Sequence, residues 1–350
     1  MKAFDEIFVD KTKYGVKVQT SEYAEAGAHI IIDQGQSQIA GYTDQEDGVF
    51  EEVPVIIFGD HTRAIKYVDE PFFLGADGVK VLRSKDENAN YKYLYYALKN
   101  VEIPNTGYNR HFKWLKKVQI EYPDSNVQAK IVNILDKVSD LIGKKNAQLL
   151  ALDDLVRSRF VELFGECRKR VFLNDLCSII TDGTHQPPKF QSDGVPFIFV
   201  SNLARNIITY DTEKYISDET YLELYKRTPI EIGDVLLSTV GSYGHPAVVT
   251  EAKKFLFQRH IAYLKPKRDI VNSFFLHSAL LSPDGQRQIK EKVKGIAQKT
   301  LNLSEIRKIE IPLPELQKQN EFADFVHQID KSKFVERFPE LSLFYRLFSP

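Results

Sequence analysis

The side chains in this sequence most able to do chemistry are hydrogen-bonding groups in short loops that follow apolar runs. Residues 181–189, for example, carry Thr184, His185 and Gln186 beside a double proline. On nucleic acids, arginine and lysine pair with guanine, glutamine and asparagine pair with adenine, and hydroxyl groups pair with either base. Taken singly, such a loop also fits ordinary turn chemistry. The chemistry that these residue types indicate is the recognition of base edges.

Six loops of this kind occur, three in each half of the chain. They are residues 33–42, 59–66 and 106–113 in the first half, and residues 181–189, 238–246 and 295–302 in the second. Basic neighbours could hold phosphates and set the register on a duplex. Because the loops occupy corresponding strand–turn contexts, they favour recognition over turn chemistry alone.

Motifs for catalysis are missing from the sequence. There is no GxxxxGK[ST] phosphate loop, no strand-following GxGxxG, no HExxH and no GxSxG. No paired acidic motif with a following lysine suggests a nuclease metal site, and the histidines are scattered without ligand spacing. Cys167 and Cys177 fit no metal pattern and are expected to be reduced thiols. These absences argue against an enzyme.

The elements that must position the loops occur twice, because the chain contains an internal repeat. Residues 112–142 align without a gap with residues 303–333, at an offset of 191. In this alignment Gln128 meets Gln319, each of them five residues after a proline. Each copy predicts a short strand, a proline stop and an amphipathic helix. A strand–Pro–helix unit found twice indicates two domains, each followed by its own helix.

Segments upstream of this repeat also correspond. Residues 53–60 predict a buried strand that enters a glycine turn, residues 72–83 a strand pair, and residues 91–100 a short packed helix. The matching segments of the second half are 230–244, 255–266 and 273–282. The last two lie at an offset of 182, so the second half needs about nine extra residues before its final strand. The basic segment GQRQIKEKVKG lies there.

One long helix is predicted between the two halves. Apolar residues at alternating spacings of 4 and 3 run from Ile131 to Leu163. Asp124 or Ser125 can cap the start of this helix, and Gly165 can close its end. About 40 residues at about 1.5 Å each give a helix roughly 60 Å long. A helix with one apolar stripe needs a partner along that stripe.

The second repeat helix is the expected partner, and it is predicted to be short. Its stripe starts near Glu315 and fades after Ser332, and Pro339 is incompatible with a continuing helix. Part of the long helix is then left without an intrachain partner, so either another chain covers it or the natural end of the chain is missing. We expect the exposed stripe within residues 149–163 to mediate association with another chain, including self-association.

The charge of the chain is nearly balanced, with a net charge of −1. This counts mildly against a protein that grips nucleic acid alone, because phosphate neutralisation favours a basic surface. Basic side chains nevertheless cluster before both repeat helices, within residues 110–117 and 290–308. Singly, each cluster fits a solvated face. The sequence has no apolar signal core and no stretch near the ~18 apolar residues of a membrane span, so a cytoplasmic protein is expected.

Several segments resemble the specificity subunit of type I restriction–modification systems. They are GDVLLSTVGSYGHPAVV (233–249), ITDGTHQPP (180–188), FQRHIAYLKP (257–266) and QKTLNLSEIRKIEIPLPELQKQNEFADFV (298–326). The first half, with QGQSQIAGYTD (34–44) and FLGADGVKVLR (73–83), looks like a more divergent target-recognition domain of the same kind. The resemblance covers residues 1–333, and the junction IPLPELQKQNEF is its most specific signature.

The resemblance implies an α/β (α+β) fold in which two similar target-recognition domains are joined by long helices that form an antiparallel coiled coil. It places the first domain at residues 1–123, the proximal spacer helix at 124–165, the second domain at 166–314, and a short distal helix with a tail at 315–350. Each domain is expected to read one half of a split, asymmetric DNA sequence, while the helices fix the gap.

The resemblance also implies that this chain is not itself catalytic. The expected partners are double-stranded DNA, modification (methyltransferase) subunits and a restriction (translocase and nuclease) subunit, with no membrane. No cofactor is expected on this chain, because S-adenosylmethionine, ATP and magnesium would be bound by the partner subunits. The missing catalytic motifs would then lie on those partners.

Carried over onto this sequence, the candidate DNA-reading residues all lie in the six loops. They are Gln34, Gln36, Ser37, His61, Arg63, Asn109 and Arg110 in the first domain, and Thr184, His185, Gln186, Ser242, Tyr243, Gln298 and Lys299 in the second. Two alternatives from other classes stay open. One is a stand-alone nuclease or methyltransferase with an unrecognised site, and the other is a protein-binding scaffold without a nucleic-acid role.

Overall fold

The computed structural model describes residues 1–75, 77–107, 109–295 and 298–336, and their side chains as far as Lys333. Over these residues the chain forms two compact units, Met1–Asn146 and Ala147–Glu336. Residues 337–350, which hold Pro339 and the end of the expected distal segment, lie outside the described residues.

The first unit is built from short strands and helices. Its elements are β1 (Lys2–Ala3), α1 (Phe4–Ile7), β2 (Phe8–Asp10), β3 (His29–Ile32), β4 (Gly41–Thr43), β5 (Val55–Gly59), β6 (Ile65–Val68), β7 (Phe72–Leu74), β8 (Val79–Ser84), α2 (Tyr91–Lys99), α3 (Phe112–Leu115), β9 (Gln119–Ile120) and the start of α4 (Ser125–Phe164). One antiparallel sheet has the strand order β2–β8–β5–β6. A second has the order β4–β3–β7, with β3 and β7 parallel, and β1 pairs with β9.

The second unit contains the end of α4 and a further set of elements. These are β10 (Arg170–Phe172), α5 (Leu173–Leu176), β11 (Cys177–Asp182), β12 (Val195–Ile198), β13 (Tyr215–Ile216), α6 (Asp218–Tyr225), β14 (Val235–Ser238), β15 (Pro246–Val248), β16 (Leu256–Phe257), β17 (Ile261–Pro266), α7 (Ser273–Leu281), α8 (Pro283–Lys292), α9 (Leu303–Ile306), β18 (Glu310–Pro312) and α10 (Leu316–Glu336). Its sheets have the orders β11–β17–β14–β15 and β13–β12–β16, and β10 pairs with β18.

The two units share one topology, which confirms the prediction of two similar α/β domains. Each strand of the first unit has a counterpart with the same neighbours, including one parallel pair, β3–β7 in the first unit and β12–β16 in the second. The strand registers agree as well, because Gly59 faces Val79 in the first unit and Ser238 faces Ile261 in the second. The loops after β5 and β14 therefore leave equivalent sheet positions.

The central strand of each unit is buried on both faces, which explains its continuous apolar run. In β5, Ile56 and Phe58 pack against α2, while Val55 and Ile57 pack into the cluster of the three-stranded sheet. In β14 the side chains alternate between two clusters in the same way. Full burial of each such side chain stabilises the fold by about 1.5–3 kcal/mol.

The helix α4 is continuous from Ser125 to Phe164, as the sequence predicts. Asp124 caps it, because the Asp124 carboxylate accepts hydrogen bonds from the backbone N–H groups of Asn126 at 3.0 Å and Val127 at 3.1 Å. The start of the helix therefore uses Asp124 and not Ser125 as its cap.

Within the second unit, α10 runs antiparallel to the end of α4. The ring of Phe322 lies 5.5 Å from that of Phe160 and 5.6 Å from that of Phe164. Eleven residues further along α10, the Lys333 ammonium lies 2.6 Å from the Asp153 carboxylate. The chain position on α4 falls as that on α10 rises, which confirms the predicted antiparallel helix pair.

One predicted strand pair is not formed, and the second unit contains a helix that the first unit lacks. The strand pair predicted within residues 72–83 forms two strands that do not pair with each other, because β7 joins the three-stranded sheet and β8 the four-stranded sheet. The extra residues of the second unit form α8, at the place where the offset requires them. None of the described helices combines the length and the apolar character that a membrane crossing requires.

Candidate nucleic-acid interface

The loops predicted in the first unit meet at Asp60, a buried residue directly after β5. The Asp60 backbone N–H donates to the Gly78 carbonyl at 2.7 Å, and its carbonyl accepts from the His111 N–H at 2.7 Å. The Asp60 carboxylate accepts from the Phe112 N–H, also at 2.7 Å. These bonds tie the loop after β5 to the turn before β8 and to the loop before α3. Because the linked groups are buried and bonded, the fold itself sets the loop positions.

Gln34 attaches the loop after β3 to this cluster. Its side-chain amide donates to the Asp77 carbonyl at 3.1 Å and accepts from the His61 N–H at 3.1 Å. Gly78 has a φ of +96°, and a Cβ atom there would lie 2.5 Å from the Gln34 amide oxygen. A residue with a side chain would be strained at this φ and would displace the end of the Gln34 side chain, so this position favours glycine.

Lys66 in β6 is only 3% exposed and binds the first residue of the same loop. Its ammonium donates to the Asp33 carbonyl at 2.8 Å and lies 3.4 Å from the Asp33 carboxylate. That carboxylate in turn accepts from the Gly35 N–H at 2.7 Å. Burial lowers the pKa of Lys66, although the Asp33 charge opposes the shift. Lys66 thereby orients the first residues of the loop that carries Gln36 and Ser37.

The seven candidate residues of the first unit differ in exposure. Gln36, Ser37, Asn109 and Arg110 are exposed, whereas Gln34, His61 and Arg63 are partly buried. The Arg63 guanidinium donates to the Ile103 carbonyl at 3.2 Å. Lys17 holds the pKa of Asp77, in the turn before β8, below its usual value, and the charge of Arg110 adds to that effect. The structure thus brings all three predicted loops together and leaves four candidate side chains at the surface.

The loops of the second unit meet in the same way at Thr239, directly after β14. The Thr239 N–H donates to the His260 carbonyl at 2.9 Å, and its carbonyl accepts from the Leu301 N–H at 2.8 Å. Thr239 therefore occupies the place that Asp60 has in the first unit. The link between the loop after the central strand and the turn before β17 is repeated, although the side chain differs.

The remaining loop contacts of the second unit complete this cluster. The Gly241 N–H donates to the Lys299 carbonyl at 3.1 Å. The Thr184 N–H donates to the Phe257 carbonyl at 3.0 Å, and the Thr184 carbonyl accepts from the Arg259 N–H at 3.0 Å. His185, Gln186, Ser242, Gln298 and Lys299 are exposed, whereas Thr184 and Tyr243 are partly buried. Tyr243 packs against the main core of the unit.

A charged group at the end of β11 lies beside these loops. The two carboxylate oxygens of Asp182 accept hydrogen bonds from the Arg227 guanidinium at 2.6 Å and from the His185 ring at 2.8 Å. The side chains of Arg227 and His185 line a cleft between the loop 183–189 and α6, together with Glu223.

Two histidines of the second unit hold a loop residue by neutral hydrogen bonds. His245 Nδ1 lies 3.0 Å from the Asn206 side-chain oxygen, and His277 Nε2 lies 3.1 Å from the Asn206 carbonyl. Asn206 has a φ of +58°, a conformation that asparagine tolerates better than most residues. Burial lowers the pKa of both histidines. The neutral rings are therefore the forms that fit this site.

Sequence reasoning missed Asp60, Lys66, Arg227 and Arg259 as residues of the clusters. Asp60 and Lys66 are buried polar groups whose role depends on loops far away in the sequence. Arg227 follows α6 and meets Asp182 only through the tertiary fold. Arg259 joins the second cluster through its backbone N–H, which donates to the Thr184 carbonyl, and no local pattern marks that contact.

The residues that the structure describes contain no group of three or more histidine, cysteine, aspartate or glutamate side chains that could hold a metal ion. Cys177 is buried, and burial raises the pKa of its thiol to about 12, so it stays protonated at neutral pH.

Comparison with known protein families decides what these clusters belong to. The sequence profile described as "Type I restriction modification DNA specificity domain" matches residues 9–151 and 168–337. The chain belongs to this family. Each matched segment contains one of the two loop clusters, so both units are DNA specificity domains of the type I family. The predicted role as a non-catalytic specificity subunit is confirmed by this membership.

Known type I specificity subunits are similar over most of their length. The chain is 25% identical over 341 residues to the EcoR124I/EcoR124II specificity subunit of Escherichia coli, covering 91% of this chain and 83% of that protein. It is 23% identical over 346 residues to the MjaVIII specificity subunit of Methanocaldococcus jannaschii, covering 90% and 81%. The crystal structure of a type I S subunit from M. genitalium has the same fold, with a TM-score of 0.53, 17% identity and coverage of 100% and 96%.

Proposed function

We propose that this type I specificity subunit reads a bipartite, asymmetric double-stranded DNA target, with one half-site for each unit. The observation that carries the proposal is the duplicated loop cluster, held at Asp60 in the first unit and at Thr239 in the second. The backbone hydrogen bonds that hold the two clusters correspond, but the exposed side chains differ. Arg110 lies in one cluster and Lys299 in the other. Equivalent backbone arrangements that carry different side chains suit two half-sites of different sequence.

In this proposal the partners supply the chemistry and α4 supplies the spacing. Modification subunits would methylate the target, and a restriction subunit would translocate and cleave DNA in the cytoplasm. S-adenosylmethionine, ATP and magnesium would be held by those subunits and not by this chain. The unbroken helix between the two sets of strands supports the role of α4 as the element that fixes the gap between half-sites.

We propose that the exposed part of the apolar stripe of α4 contacts another chain. Of the stripe within residues 149–163, Leu163 is 46% exposed, whereas Leu149, Leu152 and Val156 are partly buried, so most of the stripe is less exposed than the sequence predicts. Leu150 is 65% exposed, but at about 100° per residue it lies on another side of the helix. Leu163→Glu should weaken association of the purified chain, as measured by light scattering, and Leu150→Glu is the control outside the stripe. A wild-type chain that stays monomeric at all concentrations would remove self-association from the proposal.

Methylome sequencing tests the bipartite target directly. The chain would be expressed in a host together with its modification subunit, and the methylated adenines would be mapped. A split motif with a constant gap is the expected result, and a single continuous motif would contradict the proposal. Arg110→Ala should relax bases only in one half of the motif, and Lys299→Ala only in the other half.

Duplex binding by the purified complex provides the second test. Affinity should fall steeply with salt, since phosphate contacts release counterions from the duplex. A scaffold without a nucleic-acid role would bind no duplex at any salt concentration. Family membership does not favour a stand-alone nuclease or methyltransferase, and turnover of DNA by the purified chain without partners would be the result that supports one.

A further inference from the structure

One carboxylate in the second unit holds two hydrogen-bonding side chains in one cleft. Asp182 is the last residue of β11, and its side chain is 18% exposed, whereas those of Arg227 and His185 are 52% and 53% exposed. Arg227 contacts one carboxylate oxygen and His185 the other. The backbone of β11, which is paired with β17 through Asp182, fixes the carboxylate. The strand therefore determines where both exposed side chains point.

The hydrogen bonds leave a definite set of groups for a ligand. A guanidinium has five N–H donors in a planar fork, and Asp182 accepts from only one nitrogen of Arg227. The remaining donors match the O6 and N7 acceptors of guanine in the major groove. The carboxylate can only accept, so the proton of a neutral His185 ring lies on Nε2. Its Nδ1 is then an acceptor, which suits the amino group of cytosine or adenine.

The local charge favours a base edge over a phosphate. Asp182 compensates the charge of Arg227, and the cleft is also lined by one carboxylate, Glu223, and one ammonium group, Lys189. These four charges balance, so the cleft has no excess of positive charge for a phosphate, whereas a base edge offers neutral donors and acceptors. The double proline, Pro187 and Pro188, limits the conformations of the loop that carries His185.

We propose that Arg227 reads a guanine in the half-site of the second unit and that His185 accepts a hydrogen bond from the amino group of a neighbouring base. Asp182 is the positioning residue that orients both. This inference rests on the proposed function, since it names the residues that give the second unit part of its base preference. None of the three acts through its charge on the phosphate backbone.

The experiment uses the complex of the full chain with its modification subunit. Duplexes carrying the mapped target are changed at one base pair at a time, and binding is measured for the wild type and for Arg227→Lys, Asp182→Asn and His185→Phe. Arg227→Lys keeps the charge and removes the fork, so binding to the guanine-containing duplex should fall about 5- to 100-fold. Binding to the duplexes already altered at that position should not change.

The other variants and the control separate this role from a structural one. Asp182→Asn should reduce the preference at the same position, and His185→Phe at a neighbouring position. Arg287→Ala removes an exposed arginine of α8 that pairs with Asp284 and Glu291, and it should leave every preference unchanged. Thermal melting of each variant checks that the second unit still folds.

Each contrary outcome has a distinct meaning. A uniform loss of affinity over all duplexes for Arg227→Lys would assign Arg227 to a phosphate and overturn the inference. A second half-site without guanine would overturn it too. In both cases the bipartite reading of DNA would stand. If the wild-type complex bound no duplex selectively, the proposed function itself would fail.

Discussion

The side-chain amide of Gln319 donates to the Pro314 carbonyl at 2.9 Å. Gln128 donates to the Pro123 carbonyl at the same distance of 2.9 Å. Both glutamines are buried, and each lies in the first turns of a repeat helix. The bond satisfies a carbonyl at the proline stop, where the strand ends and the helix begins. This junction is therefore duplicated in its hydrogen bonding as well as in its sequence.

Gln319→Ala should destabilise the second unit more than Gln128→Ala destabilises the first. Gln319 also donates to the Ile270 carbonyl at 3.1 Å and accepts from the Asn272 N–H at 2.9 Å. Because several buried groups lose their partner, we expect a loss of about 2–4 kcal/mol for Gln319→Ala and about 1–2 kcal/mol for Gln128→Ala. Urea unfolding measures both. The exposed Gln317→Ala is the control, with a change within about 0.5 kcal/mol, and equal losses at Gln319 and Gln317 would contradict the argument.

Gly143→Ala should stabilise α4. Gly143 lies in the middle of the helix, and a Cβ atom there would meet nothing within 4 Å. Alanine lowers the backbone entropy of the unfolded chain, so we expect a gain of about 0.5–1 kcal/mol. Thermal unfolding measures it. Gly165→Ala is the opposing control, since its Cβ atom would lie 2.6 Å from the Val161 carbonyl oxygen. A lower melting temperature for Gly143→Ala would show that this face of α4 is not open.

The second unit should lose stability as the pH falls below about 6.5, the ordinary pKa of histidine. Burial lowers the pKa of His245 and His277 in the folded state, so the unfolded state binds more protons in this window. Their contribution to the free energy of unfolding is present above pH 6.5. It is lost as the pH falls toward the lower pKa values of the folded state, with a slope of up to about 1.4 kcal/mol per pH unit for each residue.

Urea midpoints between pH 8 and pH 5 test this dependence. The double variant His245→Asn and His277→Gln removes two titrating rings and should make the curve less steep, with His260, whose pKa burial also lowers, left to titrate. Each single variant should remove part of the slope. Parallel curves for the wild type and the double variant would assign the pH dependence to other groups.

Lys66→Met should weaken recognition of the first half-site and leave that of the second unchanged. The substitution removes the donor that holds the Asp33 carbonyl, so the loop with Gln36 and Ser37 loses its support. The partly buried Asp33 groups lose their partner, with an expected cost of about 1–3 kcal/mol in unfolding free energy. Binding to duplexes altered in one half-site at a time measures the effect on recognition.

Lys80→Met is the matched control for that prediction. Lys80 lies in β8 of the same unit and forms a more exposed ion pair with Asp10 at 3.5 Å. Exposed pairs contribute about 0–1 kcal/mol, so both stability and half-site preference should change little. If Lys80→Met lost recognition of the first half-site as strongly as Lys66→Met, the loss of a positive charge, and not the loop position, would be the cause.

Much of the fold could be predicted from the sequence because its signals are local. The periodicity of apolar residues identified β5, α2 and α4, and the capping rule limited the start of α4 to Asp124 or Ser125. The two offsets placed the extra residues of the second unit, although only the structure shows that they form the helix α8. The repeat also implied that both units share one topology, because similar local elements in the same order pack in the same way.

Contacts between distant parts of the chain were decided only by the tertiary structure. The pairing of β7 and β8 with different sheets depends on neighbours elsewhere in the chain, so no local pattern reveals it. The same holds for two hydrogen-bonded pairs. Lys66 and Asp33 are 33 residues apart, and Arg227 and Asp182 are 45 residues apart. The sequence alone located the six loops, because polar residues after apolar runs mark strand ends. Which side chains support a loop and which remain exposed on it depends on burial, and burial exists only once the sheets have packed.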